Sequence, residues 1–343
     1  MLMPARNVIN RTHYQHKGEN MDAIKKRFLR ACRKPLDIFP VAWVQATLVM
    51  FAGALLSLLS FEIIGYSPTD STPSYLACAY IYFTFAGIWL ITLLVILLFP
   101  SNRPMIKKLL LTIHEGNTIL RALLGLITGF VLIAIATGIS VFRQDIALSF
   151  VAIEPKPLLI IFAAVLIQSG AEEIVFRLYL FQKLRRRYKS AIFAIIISAL
   201  AFAQGHMGNT GISPIALAQI TVFGIVFAVL VNYFDALGAA IGFHTGWNYA
   251  QNIIFGLPNS GLVSQYSIFK IEAAANGPFF NTIFGIEGSV GAVAMLSIVL
   301  LILVVIVAAK QLKSYDLWEK AEAQALEQAG GSSAQSSGPR HLG

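Results

Sequence analysis

Charge is what this chain has least of. Only 13% of its 343 residues are Asp, Glu, Lys or Arg, against about 25% in ordinary soluble domains. With 57% apolar residues and a mean hydropathy of +0.70, that shortage excludes a soluble globule. Cysteine is as scarce. Cys32 lies in a basic N-terminal arm and Cys78 at the start of the second apolar run, on the outer side, so the two are not expected to pair within one molecule. Neither belongs to a Cys-x-x-Cys unit, so redox and thiolate-metal chemistry are not expected. The chain also lacks a His-Glu-x-x-His helix, an internal repeat and a soluble domain. It has no signal peptide by pattern, because the basic arm is too long and the first apolar run is of full spanning length.

What is present is a series of apolar runs long enough for the ~30 Å hydrocarbon core, which takes about 20 helical residues. They fall at 41-65, 75-99, 119-142, 157-181, 190-207, 213-233, 236-256 and 286-309. The expected fold is therefore an all-α polytopic transmembrane bundle of about eight spans. The fifth run is the shortest and the seventh the most polar. Residues 1-40 form the basic arm, 41-312 the membrane domain, and 313-343 a tail with a short amphipathic helix over 313-329 and a flexible Gly/Ser/Gln-rich end from Gly330 to Gly343. Met21 begins a second plausible start.

Lys and Arg mark orientation, since cytoplasmic loops retain positive charge. The arm, the loops after spans two and four, and the tail hold 21 of them, whereas the opposite loops hold only Arg143, Lys156 and Lys270. Both termini are thus expected in the cytoplasm. The formal charge of +9 reads as this topological signal, with some attraction to anionic headgroups, rather than as a nucleic-acid surface, because no aromatic platform accompanies the basic residues. The run from Lys183 to Lys189 is taken as an orientation loop, and Glu62 and Glu287 as interfacial. The long outer connection 257-285 is placed to cover the mouth of whatever the helices enclose.

Five ionisable residues stand inside these apolar runs: Glu172, Glu173, Arg177, His206 and His244. Charge at mid-bilayer costs roughly 2.5 to 3.5 kcal/mol or more, so such groups face a protein interior or a wet cavity. Glu173 and Arg177 are four apart on one helix face and form a buried ion pair. Glu172 has no basic residue within one turn, which drives it toward its neutral form or a partner on another helix. Span five adds Phe202 and His206, again four apart, and span seven adds His244 and Asn248 with Trp247 between them. A carboxylate, imidazoles and an amide donor are the groups that activate water and stabilise an oxyanion. Phe202 and Trp247 read as packing residues that line the cavity. Spans four to seven make up the working half, and spans one to three and eight a surrounding wall.

The ordered set Glu-Glu-x-x-x-Arg, Phe-x-x-x-His and His-x-x-x-Asn resembles the CAAX protease and bacteriocin-processing (CPBP, or Abi) family of intramembrane proteases over about 157-256. The resemblance implies an α-helical endopeptidase, whose eukaryotic relatives cut the last three residues from prenylated CAAX proteins. By motif position, Glu172 and His206 would activate water, His244 and Asn248 would donate to the oxyanion, and Glu173 and Arg177 would be structural or substrate-orienting. The family is described both as metalloprotease and as glutamate-dependent. The favoured mechanism requires no cofactor, and a divalent metal such as zinc would take Glu172, His206 and His244. One departure is Phe176-Arg177-Leu178, where many relatives continue Arg-Gly. The implied partners are the lipid bilayer and a membrane-associated or lipidated peptide, with no nucleic acid, and the implied location is a plasma membrane of bacterial inner-membrane type. Two other classes stand beside the protease: a non-catalytic immunity or scaffold protein, and a proton-coupled transporter. Depth raises a difficulty, because literal span boundaries put Glu172 near the inner surface and His206 near the outer one. Strong tilt, a longer span four or a wide aqueous funnel would each resolve it.

Overall fold

The computed structural model describes residues 35–111 and 113–321. The arm with Cys32, the start at Met21, and the tail end with His341 lie outside the described residues. All eight expected runs are helical. They are α1 (Phe39–Ile63), α2 (Ser74–Phe83) with α3 (Ala86–Leu98), α4 (Ile119–Phe142), α5 (Pro155–Glu173) with α6 (Phe181–Arg187), α7 (Ala191–Gln204), α8 (Pro214–Phe234), α9 (Leu237–Tyr249) and α10 (Val290–Ala309). Six of these runs are long and apolar enough to cross a membrane: α1, α2–α3, α4, α5–α6, α8 and α10. The fifth and seventh expected spans fall short of that standard. Helix α7 has 14 residues, about 21 Å at 1.5 Å per residue, and α9 carries the polar motif.

Local sequence explains where the helices begin and end. Thr118, Ser190, Ser213 and Ser289 each accept a backbone N–H from the first turn of α4, α7, α8 and α10, which satisfies donors that have no intrahelical partner. Pro155 and Pro214 occupy first-turn positions, where a missing N–H costs nothing. Asp235 closes α8 in the left-handed conformation at φ 52°.

The fourth span departs most from expectation. After α5 the chain passes through a π-helical stretch, Ile174–Leu180, and continues as α6 to Arg187, a continuous run of 33 residues. The basic run read as a loop is therefore mostly helix. Lys183 and Arg186 are held there by a shared carboxylate, Asp37, which lies fully buried just before α1. This extension resolves the depth difficulty: Glu172 lies near the middle of the long helix rather than at its end.

Two glycine pairs set a close helix crossing. Gly125 and Gly129 on α4 face Gly242 and Gly246 on α9, and a Cβ added at any of the four would run into the opposite helix backbone. Small residues four apart let membrane helices approach this closely. They press α9, with its histidine, against α4.

At the end away from the basic residues, β1 (Ile146–Phe150) pairs antiparallel with β2 (Phe269–Ala274), with a register irregularity between Ala147 and Leu148. The sequence carried no expectation of this pair. It gives two connecting segments partners for their backbone groups. At the basic end, Leu317 is buried and Trp318 donates its indole N–H to the Gln182 carbonyl, so the described start of the amphipathic segment docks on the bundle.

Candidate active site

The central charges sit where α5 meets α9. Glu172, Glu173, Arg177, His244 and Asn248 are all buried, Glu173 and Arg177 completely. Neighbouring positions on α5 point about 100° apart, so Glu172 and Glu173 reach His244 from two sides. The Glu173 Oε1 lies 3.0 Å from His244 Nδ1, and the Glu172 Oε2 lies 3.7 Å from His244 Nε2. A carboxylate only accepts, so Nδ1 carries the proton in this arrangement, and in the neutral ring Nε2 is left as an acceptor facing Glu172.

Behind this pair, Arg177 Nε lies 3.2 Å from Glu173 Oε2, close enough for an ion pair but not aligned as a hydrogen bond. Aromatic faces cover the guanidinium instead, Phe202 at 4.3 Å and Phe227 at 5.4 Å from its carbon. His244 shares that lining: Phe227 stacks on it at 5.6 Å between centroids, and Phe223 and Phe202 meet it edge-on at 5.4 and 5.9 Å. Such packing fixes the ring plane and keeps the Glu173–Arg177 pair away from water, where its mutual attraction is strong.

On the other side, Gln168 holds the Glu172 carboxylate. Its Nε2 donates to Glu172 Oε1 at 2.8 Å, and its Oε1 accepts from Asn248 Nδ2 at 3.1 Å. Among the described residues, nothing donates a hydrogen bond to the buried Glu172 Oε2. Asn248 Oδ1 accepts from Asn259, which leaves one N–H of its amide uncommitted.

His206 stands apart. It belongs to the turn after α7 rather than to a spanning helix, is half-buried, and makes no ion pair with a carboxylate within 4.0 Å among the described residues. Its Nδ1 lies 2.9 Å from the Phe202 carbonyl oxygen, and its ring packs edge-on against Phe202 at 4.8 Å. The Phe-x-x-x-His spacing thus joins these two residues through the last helical turn and leaves Nε2 free at the margin of the site. Trp247 donates to Glu287 at 2.9 Å and packs against Phe223.

Glu287 is buried rather than interfacial, accepting from Trp247, from Asn259 at 3.4 Å, and from the backbone and hydroxyl of Ser260 at 2.7 and 2.6 Å. That network fastens the segment after α9 above Asn248. Gln168 was legible by the same four-residue rule that paired Glu173 with Arg177. Phe223, Phe227, Asn259 and Glu287 meet the site only through tertiary contact and left no local signal.

For a metal, the donors do not fit. Among the described residues no three His, Cys, Asp or Glu side chains converge as a ligand group, and His206 is turned away to its own helix carbonyl. Glu172, His206 and His244 therefore do not form a zinc set in this arrangement.

The fold and site together define a multi-pass α-helical membrane protein with a carboxylate–imidazole–amide centre buried among its helices. Residues 154–250 match the family model described as type II CAAX prenyl endopeptidase Rce1-like. Over that segment, which holds all three motifs, the resemblance to the CAAX protease group holds. No curated protein and no solved structure matches the chain.

Proposed function

We propose that this protein is an intramembrane endopeptidase that hydrolyses a peptide bond in a membrane-associated or lipidated substrate. The observation that carries the reading is the buried Glu172 Oε2, which has no donor and faces His244 Nε2 at 3.7 Å. A gap of that size between polar groups suits a bridging water.

Glu172, its other oxygen held by Gln168, takes a proton from water as the oxygen attacks the substrate carbonyl. The tetrahedral oxyanion accepts the uncommitted Asn248 N–H, and His244 Nε2–H in the protonated ring. Collapse breaks the C–N bond, and Glu172 returns its proton to the leaving amine. Glu173 accepts the Nδ1–H of that ring and, with Arg177 behind it, holds His244 in plane with Nε2–H toward the oxyanion. His206, with Nε2 free, contacts water or substrate at the margin. No step runs through a metal.

The positive-inside bias supports both termini in the cytoplasm, and the location that goes with this reading is a plasma membrane of bacterial inner-membrane type. The test is purified protein in bilayer discs with a lipidated peptide library, read by mass spectrometry of new termini. Glu172→Gln should lower the cleavage rate about 10²- to 10⁴-fold with an unchanged melting temperature. Cuts persisting at the wild-type rate would overturn the assignment.

A further inference from the structure

A cavity lies away from the reaction centre, and nothing in the proposed chemistry uses it. It encloses about 450 Å³ between α1, α3 and the α5–α6 helix, walled by Leu48, Val49, Ala52, Ile91, Val95 and Phe99. That volume is within the ~300 to 1,000 Å³ usual for small-ligand sites. Leu48 and Phe99 are about half exposed or more on the outer surface, in a part of the bundle that faces lipid, so the groove is open sideways to acyl chains.

One end of this apolar groove is polar. Lys183, Arg186, Asn102 and Ser101 line it there, and Gln45 and Tyr179 sit along its wall. Among the described residues Asp37 is the only carboxylate on the two cations, 3.0 Å from Lys183 Nζ and bidentate to Arg186 at 2.5 and 2.6 Å. Two positive charges against one negative leave an excess of one. The Lys183 ammonium has three N–H groups and spends one on Asp37. Tyr179 donates to the Gln45 carbonyl oxygen at 3.2 Å, which leaves the Gln45 amide nitrogen available to an ester carbonyl.

Depth agrees with charge. Counted from Pro155 at one end of the long helix, Lys183 lies about 42 Å along the axis. A bilayer with its headgroups measures roughly 40 to 45 Å, so the cationic end stands at headgroup level while the apolar wall spans the acyl region. Basic pockets between membrane helices at that level take anionic headgroups.

We infer that this groove is a binding site for one anionic membrane phospholipid, its acyl chain along α1 and α3 and its phosphate at Lys183. The inference is independent of the protease reading, because it is measured by lipid retention and not by cleavage. The experiment is native mass spectrometry of the delipidated full chain titrated with phosphatidylglycerol or with phosphatidylcholine of the same chains. One phosphatidylglycerol should be held at least about tenfold more tightly, a difference of about 1.4 kcal/mol. Lys183→Gln should abolish that preference, and Ala52→Trp, which fills the groove, should weaken both lipids. Equal retention of the two lipids by the wild type overturns the inference whether or not either variant folds. So does a preference that survives in a folded Lys183→Gln protein, or retention of a lipidated peptide with no discrimination between phospholipids.

Discussion

The long α5–α6 helix and α8 bury 61% and 56% of their most apolar windows inside the protein, whereas the equivalent windows of α1, α2–α3, α4 and α10 bury 17 to 22%. Polarity follows that division. The buried helices carry Gln168, Glu172, Glu173, Arg177 and Gln219, while α10 offers lipid a surface of Leu, Ile and Val. A helix in contact with lipid has no means of compensating a charge, so charge is retained only where neighbouring helices supply counter-ions, amides and aromatic faces. The contrast also assigns roles: the wall is interchangeable apolar surface, and the centre is a set of mutually dependent groups.

The sharpest way to break that contrast is to remove one member of the central pair. Arg177→Met leaves Glu173 fully buried without its cation, which should cost about 3 to 5 kcal/mol. Adding Glu173→Gln should recover part of the loss, because an amide is cheaper to bury than a lone carboxylate. Thermal unfolding in detergent reads both. If Arg177→Met melted like the wild type, the centre would be no more interdependent than the wall.

Next in size is Asn248→Ala. Removing the proposed oxyanion donor should lower the cleavage rate about 10²- to 10³-fold and leave the melting temperature close to that of the wild type, since Gln168 and Asn259 keep other partners. A change in KM alone, with kcat intact, would assign Asn248 to substrate binding instead.

The same division explains which features were legible in the sequence. Helix class followed from apolar run length, and the burial of Glu172, Glu173, Arg177 and His244 from their being ionisable residues inside such runs, because lipid enforces those constraints locally. Glu173 and Arg177 were legible by spacing. Three features were not. The sequence places Lys183 to Lys189 in a loop because a charge count cannot see Asp37, 146 positions or more away, pairing with Lys183 and Arg186 on α6. Glu287 was read as interfacial because its partners Trp247 and Ser260 come from other segments. His206 was placed within a span, but the helix ends at Gln204, and apolar composition does not report a boundary to that accuracy.

A third substitution tests the seam between the two regions. Helix α4 belongs to the wall, yet Gly129 presents its backbone to Phe243 and Trp247 on α9. Gly129→Ala puts a methyl into the opposite backbone and should cost about 1 to 3 kcal/mol, the usual range for overpacking. It should also reduce cleavage by shifting His244 and Asn248 together. A fully active, equally stable Gly129→Ala protein would show that α4 merely shields α9 and does not position it.

The smallest expected effect lies at the basic rim, where charge does meet water. Lys108 pairs with Asp235, and His114 Nδ1 lies 3.6 Å from the same carboxylate. Partial burial pushes the Lys108 ammonium below its ordinary pKa despite Asp235. It likewise pushes His114 below 6.5, with Asp235 opposing and Lys108, Lys320 and Arg121 adding to the decrease. A lowered imidazole pKa means that the folded protein binds fewer protons than the unfolded chain just below pH 6.5. Stability therefore rises as pH climbs through that window and is level above it. With about a third of the side chain exposed, solvent screening should keep the effect under about 1 kcal/mol. His114→Gln should flatten the melting temperature between pH 5 and 7 without altering cleavage at pH 7, both pH limits being set to bracket the ordinary histidine pKa of about 6.5. A slope that persisted in His114→Gln would move the titration to the buried centre, and the rim would then be as passive as the lipid-facing wall.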